Sequence, residues 1–135
     1  EVQTIAKALG KLNVNFDFVA TSPLKRSLQT AEIVADTMKL KKGKLEQWNE
    51  LKPEGSRLEL YRKLSQFKQQ SSVLVVGHEP YLTTIIGEIA FGNGTGGIVL
   101  KKSGLAKIGL TALQPKLKGE LRWLLTPRHL KKLSK

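Results

Sequence analysis

The 135-residue chain contains no cysteine, which excludes disulfides, thiolate nucleophiles and thiolate-bound metal. That absence agrees with a reducing compartment, and a cytoplasmic location is expected. No apolar run approaches the length needed to cross a bilayer, and the opening EVQTIAKALGK has no secretion-signal architecture. No membrane partner is expected. Acidic residues are scarce, 11 against 23 lysines and arginines, so the net charge is +12. Such a surplus is either a solvated basic surface or a match for an anionic partner: a phosphorylated protein, a phosphate ester or a nucleic acid. Aromatic residues make up only 6% and do not interleave with the lysine pairs at 41–42, 101–102 and 131–132. A base-stacking platform needs that interleaving, so nucleic acid is not favoured. No His/Asp/Glu cluster has metal-ligand spacing, and neither a metal nor another cofactor is expected.

What is present suits one domain with a modest core, since 40% of the residues are apolar. Val2, Ile5, Ala6, Leu9 and Leu12 share one helical face. FDFVA (16–20) reads as a strand, 26–38 as a helix, and LKKGKLEQW as a turn with a short strand. Residues 49–56 are loop-like, with Pro53 and Gly55 as breakers. A helix over 58–67 follows, then VLVV (73–76), a strand expected to be buried on both faces, then a helix over 81–91. FGNGTGGIVLKKSGLAKIGL is expected to hold two short strands and GELRWLL (119–125) a third, closed by Pro127. The reading is a single α/β domain over 1–127 with a mobile basic tail over 128–135. Gly92, Gly94 and Gly97 spell a dinucleotide fingerprint, but a helix precedes them and IVL follows, the reverse of the order that binding requires.

Two strand-to-helix junctions carry candidate chemistry. Ser22 and Pro23 are a favoured helix N-cap and first helical residue, and a helix start of that kind attracts anions. Arg26 lies one turn in and leans back over that start, where its guanidinium can grip a phosphate with two hydrogen bonds. VLVVGHEP repeats the construction and puts His78 on a loop at the C-terminal end of a strand. Open α/β sheets bind ligands along that edge, and a histidine there can donate to a phosphate or carry a proton. Ser22 lacks the flanking glycines of a nucleophile elbow, and His129 is read as a surface residue.

TSPLKRSLQTAEI and VVGHEPYL, in this order and at this separation, resemble the second motif and the histidine motif of the histidine phosphatase superfamily. The likeness is greatest to SixA-type phosphohistidine phosphatases of the cyanobacterial kind, and IVLKKSGLAKI and GELRWLLTP resemble the end of such a domain. The resemblance implies a three-layer α/β/α sandwich, phosphoglycerate-mutase-like, with a mostly parallel central sheet and late C-terminal strands. It implies removal of phosphate from a histidine-phosphorylated signalling protein, such as a phosphotransfer domain, through a phosphohistidine on the enzyme. Arg26 and His78 are then the expected catalytic residues, and Arg26, Ser22 and His78 the expected phosphate-binding ones. The family's Arg-His-Gly motif, which supplies the nucleophile, is absent from these residues; Arg128-His129-Leu130 stands at the wrong end and lacks the glycine. EVQTIAKALGKL resembles the family's first helix already under way, so the first strand and the nucleophile are expected upstream of residue 1. Related phosphoesterases add a glutamate general acid, for which Glu50 and then Glu54 are the candidates. Phosphohistidine dispenses with one, because imidazole leaves far more readily than an alkoxide. Two other functions stay open: a small-molecule phosphoester phosphatase, and a non-catalytic binder of phosphoprotein or nucleic acid.

Overall fold

Val19 and Ala20 are neighbours on one strand, so their side chains must face opposite sides of the sheet. Both are buried, which means that both faces are covered. The computed structural model describes residues 2–94, 97–102 and 104–135. The elements run α1 (Val2–Lys11), β1 (Phe18–Thr21), α2 (Lys25–Thr37), β2 (Leu45–Gln47), a 3-10 turn (Asn49–Leu51), α3 (Arg57–Leu64), β3 (Val73–Val76), α4 (Tyr81–Phe91), β4 (Leu105–Ala112), β5 (Lys118–Leu125) and α5 (Pro127–Leu133).

β1, β2 and β3 form a parallel sheet in the order β2-β1-β3, as the alternation of helices and strands predicts. On the Ala20 side the core joins Trp48, Leu51, Leu60, Tyr81, Ile85, Ile89 and Leu117. On the other side α2 packs on β1, and α1 packs on both α2 and α5. Ala6, Ala8, Leu9, Ala31, Val34 and Leu130 are buried there. β4 and β5 form a separate antiparallel pair whose second strand packs on α4. The expected α/β architecture is therefore present, with the late strands as a hairpin of their own.

Several local expectations change. The VLVV strand forms, but its four residues are only half-buried. Among the described strands β3 pairs with β1 alone, so one edge lacks a covering neighbour. Of the two strands expected between 91 and 110, one is found, beginning at Leu105; Ile98, Val99 and Leu100 carry no strand, and residues 95–96 and 103 of that stretch lie outside the described ones. The segment read as a mobile tail is α5. Thr126 caps it by accepting from the His129 backbone N–H, the His129 ring accepts in return from the Thr126 N–H, and Pro127 opens the first turn. Leu130 anchors it with no solvent exposure, so Pro127 starts a helix rather than ending the fold.

Candidate functional site

Parallel pairing sets Thr21 opposite Val76, which brings the C-terminal ends of β1 and β3 to one edge. The ladder continues one step further, with the Ser22 N–H donating to the Val76 carbonyl at 2.9 Å. This accounts for the first correction at the site. Ser22 does not cap α2; the helix begins at Lys25, with Leu24 as its N-cap and no side-chain cap bond. The sheet holds the Ser22 backbone, and its side chain is turned elsewhere. The Leu24 N–H donates to Ser22 Oγ at 3.2 Å, which closes a tight seryl turn around Pro23.

The imidazole of His78 completes that turn. Its Nε2 lies 2.8 Å from Ser22 Oγ and 3.4 Å from Ser27 Oγ. Ser22 is fully buried and Ser27 nearly so, whereas His78 is half-buried. Ser27 Oγ also reaches the Gly77 carbonyl at 3.5 Å, tying α2 to the loop that carries His78. Sequence reading passed over Ser27. Its signal was spacing: Ser27, Ala31 and Val34 fall at i, i+4 and i+7, and these are the residues that α2 buries. Beyond His78, Glu79 accepts from the Thr83 backbone N–H at 2.9 Å and from the Thr83 hydroxyl, which fastens the first turn of α4.

Arg26 is exposed on the first turn of α2, and its guanidinium has no hydrogen bond or ion pair among the described residues. The first N–H groups of that helix have no intrahelical acceptors, and its N-cap Leu24 makes no side-chain cap bond to answer them. The edge thus carries an unpaired cation and open donors, a combination suited to an oxyanion.

Glu50 lies on the 3-10 turn that reaches this edge through β2. The Trp48 N–H donates to the Thr21 carbonyl at 2.8 Å, and the Tyr81 hydroxyl donates to the Glu50 carbonyl. The Glu50 carboxylate accepts from the Lys63 ammonium at 2.9 Å, and Lys63 sits over the Trp48 ring, 4.8 Å from its centroid. The hydrogen bond from Lys63 holds the Glu50 carboxyl below the usual glutamate range. A general acid needs the opposite displacement.

A second polar cluster joins α3 to α4. Arg57 donates twice to Glu88, at 2.8 and 3.2 Å, and the Tyr61 hydroxyl donates to the same carboxylate. The Arg57 bond keeps the Glu88 carboxyl low, while burial, and then Glu88 itself, push the Tyr61 phenol well above its usual value. Among the described residues no three His, Asp or Glu side chains gather as a metal site. No described helix is long and apolar enough to cross a membrane. A cleft of ≈ 320 Å³ opens at the far end of β1, lined by Phe16, Val34, Met38 and Lys44 among others, and takes in none of Ser22, Arg26 or His78.

Comparison with known proteins gives the following likenesses. The family profile of the histidine phosphatase superfamily (branch 1) matches residues 1–55. An uncharacterised protein of Picosynechococcus sp. is 32% identical over 131 residues, covering 93% of this chain and 78% of its own length. A structure of the protein histidine phosphatase SixA complexed with tungstate superposes with a TM-score of 0.84 at 27% identity, covering 97% of this chain and 81% of that one.

Proposed function

This chain belongs to the histidine phosphatase superfamily, and from that premise we propose that it takes part in removing phosphate from a histidine-phosphorylated protein of the cytoplasm, such as a phosphotransfer domain. The observation that carries the reading is the shared edge: the Ser22–Arg26 turn and the His78 loop meet where β1 and β3 end, with 2.8 Å between Ser22 and His78. The structural neighbour is a protein histidine phosphatase and holds tungstate, a tetrahedral oxyanion of the same geometry as phosphate. The net charge of +12 favours an anionic phosphoprotein as the incoming partner.

In this reading Arg26 clamps two phosphoryl oxygens and His78 donates to a third, stabilising charge as the phosphoryl group moves. A histidine nitrogen attacks phosphorus, the P–N bond to the substrate imidazole breaks, and that imidazole leaves carrying a proton. Water then cleaves the phosphorylated enzyme and returns free nucleophile and inorganic phosphate. No Arg-His-Gly motif, where the family resemblance puts the attacking histidine, occurs among these 135 residues. The present residues supply the phosphoryl-binding part of the reaction. Glu50, held ionised by Lys63, gives no support to an ester-cleaving acid.

The test is phosphate release by the complete gene product from a histidine-phosphorylated phosphotransfer domain and from sugar phosphates. Turnover of the phosphoprotein with the sugar esters left intact is expected. The reverse preference sinks the substrate assignment, and no release from either leaves the non-catalytic reading in its place.

A further inference from the structure

We propose that Ser22 sets the tautomer of His78, holding the neutral imidazole with its proton on Nδ1, so that Nδ1–H is the donor presented to the phosphoryl group. The inference rests on the reading of His78 as a phosphoryl contact for its consequence, but the tautomer itself follows from counting donors and acceptors.

Ser22 Oγ has one hydrogen to give and two lone pairs. One lone pair takes the Leu24 backbone N–H at 3.2 Å. The residue is fully buried, so its hydroxyl hydrogen cannot go to water. The one acceptor within hydrogen-bond reach of Ser22 Oγ among the described residues is Nε2 of His78, at 2.8 Å. If Nε2 carried the proton, two donors would face each other across 2.8 Å or the seryl hydrogen would be left buried without a partner, and buried hydroxyls are not left so. Nε2 is therefore the acceptor and Nδ1 the protonated nitrogen. Ser27 does not upset the count. Its hydroxyl has the Gly77 carbonyl as an acceptor at 3.5 Å and can leave Nε2 to Ser22.

Two consequences follow for the site. Ser22, expected from the sequence to touch the phosphate, is spent on Leu24 and His78 and is closed off from solvent. It is a positioning residue that serves the phosphoryl group through His78. The imidazole, in turn, is anchored at Nε2 and makes no hydrogen bond through Nδ1 to any described group, so one ring nitrogen holds it and the other works.

In the ¹⁵N-histidine-labelled complete gene product, the signals lost in a His78→Gln variant are those of His78. Long-range proton–nitrogen spectra at about pH 9, above the ordinary histidine range, read the tautomer directly. The expected pattern is a pyrrole-like Nδ1 and a pyridine-like Nε2. A pyrrole-like Nε2, or two averaged nitrogens, overturns the proposal. In Ser22→Ala the pattern should move to an averaged one, and turnover on a phosphohistidine protein should fall roughly tenfold or more, mainly in kcat. An unchanged Nδ1–H pattern in that variant removes Ser22 from the role. A defined Nδ1–H tautomer together with unaltered turnover in His78→Ala would leave the tautomer standing and defeat the functional reading, so the two failures are separable.

Discussion

Ser22, Ser27 and His78 make a polar cluster from hydroxyls and one imidazole, whereas Arg57, Tyr61 and Glu88 make theirs around an ion pair. The second cluster is closed upon itself. Glu88 accepts from Nε and Nη2 of Arg57 and from the phenol of Tyr61, so its charge is answered within the cluster. The first cluster is closed only on its inner side. Its serines are buried and satisfied, while His78 is half-buried and Arg26, close to Ser22 in sequence, has no partner among the described residues. The difference teaches how to tell structural polarity from functional polarity. A group paired to completion ties elements together, while a group anchored by one atom and open at another is available for chemistry.

The comparison can be broken most sharply at His78. His78→Ala should cut phosphoryl transfer by roughly 10²–10³-fold, as loss of one charge-stabilising donor does, and cost about 1–3 kcal/mol of stability by leaving the buried Ser22 hydroxyl without its acceptor. Unchanged turnover would place the working residues elsewhere. Next is Arg26→Lys, which keeps the charge and loses the two-pronged grip. Steady-state kinetics should show a loss of roughly ten- to a hundredfold, the worth of one charge-assisted hydrogen bond. Retention of full activity would mean that Arg26 acts only as a distant charge.

The closed cluster should respond in stability alone. Tyr61→Phe should cost about 1 kcal/mol in urea unfolding near neutral pH, with turnover intact. The phenol is raised in the folded state, so its contribution is whole below the ordinary tyrosine value of about 10 and is lost as the pH climbs through the raised value. The gap between wild type and variant should therefore narrow in strong base. Smallest is Glu88→Gln, at roughly 0.5–1 kcal/mol, because side-chain exposures of 42% for Arg57 and 32% for Glu88 let solvent screen the pair. Glu88 is lowered in the folded state, so its contribution is present above the ordinary glutamate range and fades as pH falls through the folded value. Unfolding curves of wild type and variant should converge in acid, below the lowered folded-state value, and separate near neutrality. A separation that grows in acid would refute the ion-pair account.

Much of this edge was legible in the residues. Apolar runs followed by Ser-Pro and by His-Glu-Pro mark strand ends, and parallel strands must present those ends together. The start of α2 was not legible, because Ser22 is a good cap by type and only its tertiary partner diverts it. α5 shows the converse. Thr126, Pro127 and His129 spell a helix start, but charge and a terminal position made the segment read as a tail, and what holds it is Leu130 against the α1 side of the core.

The alternation of helix and strand, the absence of thiol chemistry, the basic surplus and the paired motifs were settled by the sequence itself, because each depends on residue type or on neighbours a few positions apart. Which hydroxyl meets His78 was decided only by the tertiary structure. Ser22 and His78 are 56 residues apart, and no local propensity reaches that far. Parallel pairing of β1 with β3 brings them together, and burial then leaves the seryl proton a single acceptor among the described residues.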